Sequence, residues 1–125
     1  MESKQEEKDL SQTLEPLSIM NGTYKRPPFN LNHLRLYGHH LCPFVERVRL
    51  VLAAKNLAYQ DVQMNLEKRA KWHYLLNEGF VPILETPANG ERTIFESRII
   101  MEYLEIAYQR DGVRLYSDCP EEKAA

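Results

Sequence analysis

Leu34-Arg35-Leu36-Tyr37-Gly38-His39-His40-Leu41-Cys42-Pro43-Phe44-Val45-Glu46-Arg47-Val48-Arg49-Leu50-Val51-Leu52 changes its period partway along. Leu34 to Tyr37 reads as a short apolar strand, and Gly38-His39-His40 as a loop. From Phe44 the apolar positions Val45, Val48, Leu50, Val51 and Leu52 roughly follow a helical repeat. Glu46, Arg47, Arg49 and Lys55 fall largely on the other face. Pro43 suits the first helical position, where no N–H is needed and φ is already set. Asn56 is a plausible stop in the left-handed conformation. The stretch is thus strand, loop, helix, with Cys42 at the helix N-terminus. Backbone N–H groups and the helix dipole stabilise negative charge there, which favours a thiolate, the nucleophilic form of cysteine. Most cysteines are small buried hydrophobes, and the junction geometry alone puts the reactive reading only modestly ahead of that one.

Working outward, Tyr59 to Asn65 alternates and reads as a second strand. Arg69 to Asn77 reads as a short helix containing Trp72, Tyr74, Leu75 and Leu76. Val81-Pro82-Ile83-Leu84-Glu85 is a third strand, turned by Pro87-Ala88-Asn89-Gly90, and Thr93-Ile94-Phe95 a fourth. Ser97 then caps a helix whose Ile99, Ile100, Tyr103, Leu104, Ala107 and Tyr108 recur at spacings of three and four. The order βαβαββα predicts an α/β domain with one mixed four-stranded sheet. Its first two strands run parallel through a right-handed crossover, and its last two form a hairpin. Residues 1–32 are polar, interrupted by Pro16 and Pro27-Pro28, and read as a flexible extension. The domain is expected over 33–118, with 119–125 as the stub of a linker.

The 125 residues suffice for one modest domain, and 43% hydrophobic with 27% charged residues is ordinary for a globular chain. A net charge of −2 gives no reason to expect nucleic acid or an anionic membrane surface. No apolar stretch is long enough to span a bilayer, and the N-terminus lacks a signal core. The expected location is cytoplasmic. The sequon Asn21-Gly22-Thr23 is then idle, and two cysteines so far apart form no disulfide framework.

Three sites converge if the strands pack in this order: Cys42, Val81-Pro82 and Glu96-Ser97. Ligands favour the ends of neighbouring elements on one edge of an open sheet. A cis bond at Val81-Pro82 would turn the Val81 N–H and C=O outward to pair with a peptide-like ligand, although an ordinary trans proline is the commoner case. Ser97 as a cap leaves helix N–H groups for a carboxylate, and Glu96 suits an ammonium. Together they would fit an α-amino acid head group, though a simple capped helix explains them as well. Val45 stands where a Cys-x-x-Cys motif has its second cysteine, so a mixed disulfide on Cys42 would need an external thiol for release. His39 and His40 read as solvated loop residues, Trp72, His73 and Tyr74 as helix packing, and Cys119 as an incidental thiol. No metal site is expected.

Leu41-Cys42-Pro43-Phe44 with the helix that follows, Val81-Pro82-Ile83-Leu84-Glu85, and Phe95-Glu96-Ser97 with Glu102-Tyr103-Leu104 together resemble the N-terminal domain of omega-class glutathione transferases. The resemblance spans roughly residues 33 to 120. It implies a thioredoxin-like fold with a cis Val81-Pro82 bond and no helical C-terminal domain in this chain. It further implies glutathione as co-substrate, Cys42 as nucleophile with Pro43 and Phe44 supporting the helix start, and Val81 and Pro82 at the cysteinyl backbone. Glu96 and Ser97 would take the γ-glutamyl end, and Arg69 would lie near the glycyl carboxylate. The implied activities are thiol transfer and reduction of disulfides, dehydroascorbate and methylated arsenicals. The implied partners are glutathione, a small oxidised substrate and a second copy of the chain. One alternative is a catalytically weak form that binds glutathione or a protein partner. Intracellular chloride-channel proteins share the Cys-Pro-Phe start, but the Glu96-Ser97 pair sets this chain apart from them. Asn77-Glu78-Gly79-Phe80-Val81-Pro82 departs from the omega pattern: it lacks a proline after the asparagine and is one residue shorter, which predicts a reshaped loop.

Overall fold

The structure, a computed structural model, describes residues 14–19, 25–87 and 92–115. Eight elements follow one another: β1 (Leu17–Ile19), β2 (Leu34–Gly38), α1 (Pro43–Ala54), β3 (Tyr59–Met64), α2 (Lys71–Asn77), β4 (Ile83–Thr86), β5 (Arg92–Phe95) and α3 (Ser97–Ala107). They build a five-stranded mixed sheet in the order β1-β3-β2-β4-β5. β1, β3 and β2 run parallel, while β4 and β5 are antiparallel to their neighbours. This is the α/β, thioredoxin-like arrangement that the resemblance implied. Asn56 closes α1 at φ 58°, as its residue type suggests. The β4–β5 turn at Ala88-Asn89-Gly90 and the tail holding Cys119 lie outside the described residues.

The sheet corrects the sequence reading at one edge. Four strands were expected, and the fifth, β1, comes from within the segment read as a flexible extension. Its register on β3 (Leu17 with Val62, Ile19 with Met64) puts Leu17 and Ile19 on one face. Three residues are too few to display a period, which is why the strand was not legible. Further along the same segment, Asn30 is buried and accepts the N–H groups of Asn32 and His33. Arg26 reaches Glu85 at 2.6 Å, and the Pro28 carbonyl accepts from Arg35 at 2.6 Å.

The alternation of β2 sorts the two faces. Leu34 and Leu36 join Val45, Val48, Val51 and Leu52 of α1, Leu84, and Ile100 and Leu104 of α3 in one core layer. Tyr37 faces the other way, with Ile19, Val62, Met64 and Ile83, covered by Trp72 and Leu76 of α2. The Trp72 ring stands edge-on to Tyr37 with centroids 5.6 Å apart, which fixes α2 to the sheet. Gly38 must be glycine, because a side chain there would run into Val45. Leu50 and Ile99, counted as apolar face positions from the sequence, point to solvent instead.

Arg35 and Glu85 are both buried in the middle of the sheet and pair at 2.9 Å. Tyr37 donates to the same carboxylate at 3.0 Å, and Arg35 also binds the Gln60 side chain. Burial, then the Glu85 charge, pushes the Tyr37 phenol far up from its ordinary value, so it keeps the proton it donates to Glu85. A second buried pair joins the helices: Lys55 Nζ lies 2.6 Å from Glu105, and Glu105 also accepts the Leu115 N–H at 3.1 Å.

Candidate functional site

One edge of the sheet gathers three chain segments. Tyr37 near the end of β2, Ile83 at the start of β4 and Phe95 at the end of β5 are register partners. The loops leaving that edge therefore emerge side by side: 39–42 into α1, 78–82 into β4, and Glu96 into α3. Between them lies a cleft of about 250 Å³ lined by Phe44, Asn77, Phe80, Val81, Pro82, Glu96 and Ser97.

Cys42 occupies the N-cap of α1 in extended conformation (φ −91°, ψ 117°), with Pro43 as the first helical residue. Its N–H donates to the His39 carbonyl at 3.0 Å, and its carbonyl accepts the Glu46 N–H at 3.1 Å. The side chain makes no capping bond, so the thiol is uncommitted. It is half-buried against the core layer that also receives Val81. Cys42 is not itself among the residues lining the cleft; it lies two residues before Phe44, which is.

Val81-Pro82 is cis, and it lies just ahead of β4 rather than inside the strand as first read. Among the described residues no hydrogen bond uses the Val81 N–H or C=O. A stretch of backbone with both groups open on a cleft is the pairing edge that a peptide-like ligand requires.

The third segment differs from expectation in detail. Glu96, not Ser97, holds the N-cap position, at φ 72°, and Ser97 is the first residue of α3, 7% exposed. Glu96 makes no side-chain cap, so the first-turn N–H groups remain open at the cleft. The exposed Glu96 carboxylate stands beside them. Two helices therefore begin at this cleft, α1 at Cys42 and α3 at Glu96. Their far ends meet at the Lys55–Glu105 pair, so they run side by side with both positive ends at the site.

Three predicted site residues, Cys42, Pro43 and Arg69, are not part of the cleft lining, and Arg69 is engaged elsewhere. Its Nε donates instead to the Gly79 carbonyl at 2.8 Å. His39 and His40 stack on each other, and their Nδ1 atoms meet the Leu41 N–H and the Gln63 amide. Among the described residues no cluster suits a metal ion. Sequence reasoning missed Asn77 and Phe80 as lining residues. The signal was available in Asn77-Glu78-Gly79-Phe80, a helix end with a left-handed glycine just before the proline loop.

Residues 32–105 match the glutathione S-transferase N-terminal domain family, and the chain belongs to that family. Curated relatives that it matches include proteins of the omega class. It is 38% identical over 108 residues to glutathione S-transferase omega-1 of Sus scrofa, covering 86% of this chain and 43% of that protein. To glutathione S-transferase omega-2 of Homo sapiens it is 38% identical over 92 residues, covering 73% and 36%. Among solved structures, glutathione transferase Omega 3C of Trametes versicolor superposes with a TM-score of 0.65 at 30% identity, over 74% of this chain and 39% of that one. The chain thus spans about two fifths of the length of the curated relatives it matches.

Proposed function

We propose that the chain binds glutathione in this cleft and uses Cys42 to reduce disulfides and dehydroascorbate through a Cys42–glutathione mixed disulfide. The open Val81 backbone on a cleft bounded by two helix N-termini carries the reading. Glutathione has the complementary parts: a cysteinyl amide unit to pair with Val81, and a γ-glutamyl head whose carboxylate suits the α3 N-terminus and whose ammonium suits Glu96. That placement leaves the glutathione sulfur free to meet Cys42.

In the reaction, the Cys42 thiolate attacks one sulfur of a glutathione-containing disulfide. An S–S bond forms to the glutathionyl sulfur, the substrate S–S bond breaks, and the other half leaves as a thiolate that takes a proton from water. A second glutathione thiolate then attacks the glutathionyl sulfur. This releases oxidised glutathione and returns Cys42 as thiolate; one external glutathione is consumed, leaving joined to the glutathionyl half of the original disulfide while the other half leaves as a thiol. Val45 is buried, with no second thiol at that position, so release falls to the external thiol. Such turnover belongs to a reducing, glutathione-rich compartment such as the cytoplasm.

A glutathione-coupled assay with hydroxyethyl disulfide and with dehydroascorbate, on this chain and on Cys42→Ala, tests the reading. Turnover by the first and none by the variant is expected. Equal rates would remove Cys42 from the chemistry.

A further inference from the structure

The loop that presents Val81, Asn77-Glu78-Gly79-Phe80, holds no proline of its own, and side chains behind it supply the rigidity. α2 ends on two successive left-handed residues, Glu78 (φ 54°) and Gly79 (φ 79°). The Glu78 and Gly79 N–H groups turn back to the Tyr74 and His73 carbonyls at 2.9 and 3.2 Å. A side chain on Gly79 would crowd Arg69 Cδ at 2.7 Å, so the turn is packed tight against Arg69. Two carbonyls of the turn are claimed by side chains. Arg69 Nε takes that of Gly79 at 2.8 Å, and that of Phe80 accepts from His73 Nε2 at 2.9 Å and from Asn77 Nδ2 at 3.2 Å.

His73 is the unusual member. It is fully buried, and its Nδ1 has no hydrogen-bond partner. With Nδ1 bare, Nε2 carries the proton and donates to Phe80. A buried, half-satisfied imidazole costs free energy that an apolar residue would avoid, which argues that the donor is retained for what it holds. Phe80 is the residue immediately before Val81, and α2 is itself anchored through Trp72 on Tyr37.

We infer that His73 is a positioning residue for the glutathione site: by holding the Phe80 carbonyl it fixes the orientation of the open Val81 backbone. This rests on the function proposed above. The ligand gains affinity only if the two Val81 groups are already aimed, since ordering them on binding would cost part of the interaction.

The test compares the chain with His73→Phe, which keeps bulk but removes the donor, and with His73→Gln, whose amide can reach the same carbonyl. Amide hydrogen exchange without ligand should show Gly79 and Phe80 exchanging faster in His73→Phe and near the parent rate in His73→Gln. The KM for glutathione should rise about three- to tenfold in His73→Phe, with kcat within about twofold, and recover in His73→Gln. Unchanged exchange in His73→Phe overturns the inference, as does faster exchange with an unchanged KM. A His73→Phe chain that does not fold, beside a His73→Gln chain that folds but binds glutathione no better than a Gly79→Ala control, overturns it too. If the parent chain itself takes up no glutathione, the proposed function fails first, and that result is read directly from the parent.

Discussion

Replacing Lys55 by methionine should expose how the two helices are held in register. The Lys55 side chain is fully buried and the Glu105 side chain 5% exposed, with 2.6 Å between their charged atoms. Methionine keeps most of the stem volume, so the change is chiefly the loss of the ammonium. Glu105 would lose its lysine and keep the Leu115 N–H. Removing one partner of a buried pair costs about 3–5 kcal/mol, because the remaining charge stays out of water. The retained N–H and methionine's packing place this case at the low end, about 3 kcal/mol. With urea slopes of about 1–3 kcal/mol/M for small domains, the midpoint of unfolding should fall by about 1–3 M. The double variant Lys55→Met with Glu105→Leu should recover to within about 1 kcal/mol of the parent, because the buried carboxylate that lost its lysine is gone as well. Equilibrium urea unfolding followed by far-UV circular dichroism measures all three. A single variant that loses under about 1 kcal/mol, or a double variant as unstable as the single, would refute the claim that charge burial, and not packing, dominates this contact.

Other outcomes follow from the same structure. Burial lowers the His73 pKa from its ordinary value, with the nearby Arg69 charge acting in the same direction and the Phe80 carbonyl opposing both. As pH falls below about 6.5 the unfolded chain takes up this proton before the folded one does, so stability falls until folded His73 also protonates. Urea midpoints should therefore drop between pH 7.5 and 5 by more in the parent than in His73→Phe, and a constant difference across that range would count against the assignment. Glu85→Leu leaves Arg35 buried without its carboxylate and should cost about 3–5 kcal/mol in the same unfolding assay; a loss under about 1 kcal/mol would contradict the network as described. Arg69→Ala should loosen the 78–80 loop, read as faster hydrogen exchange at Phe80 without ligand, whereas a residue engaged only with the glycyl carboxylate would leave that exchange untouched. Val45→Cys supplies a thiol one turn into α1, so limiting oxidised glutathione should give an internal disulfide in place of a lasting adduct, visible by intact mass.

Much of this was legible in the residues. The period change around Cys42 placed β2 and α1 to within a residue, and the position of Pro43 alone told which residue would cap the helix. Cys42, Val81-Pro82 and Glu96-Ser97 were assigned to one sheet edge from element order, and the register of Tyr37, Ile83 and Phe95 puts their loops there. What escaped was non-local. β1 is only three residues long and owes its existence to β3, which no local pattern announces. The site role given to Arg69 came from likeness to a family, while its hydrogen bond to the Gly79 carbonyl is a tertiary contact that no local pattern announces. His73 sits on the inward face of α2 among apolar neighbours, where the sequence shows a packing position and only the distance to Phe80 shows a donor. Glu96 takes the cap because its backbone adopts φ 72°, a choice that its side chain does not advertise.

The central claim is that this one sulfur accepts glutathione from a disulfide while the cleft holds the tripeptide. Incubation of the chain with oxidised glutathione, followed by intact mass and peptide mapping, measures it directly. The account predicts a single glutathionyl adduct on Cys42, reversed by reduced glutathione and lost in Cys42→Ser. An adduct on Cys119 alone, or equal labelling of the Cys42→Ser chain, would contradict it.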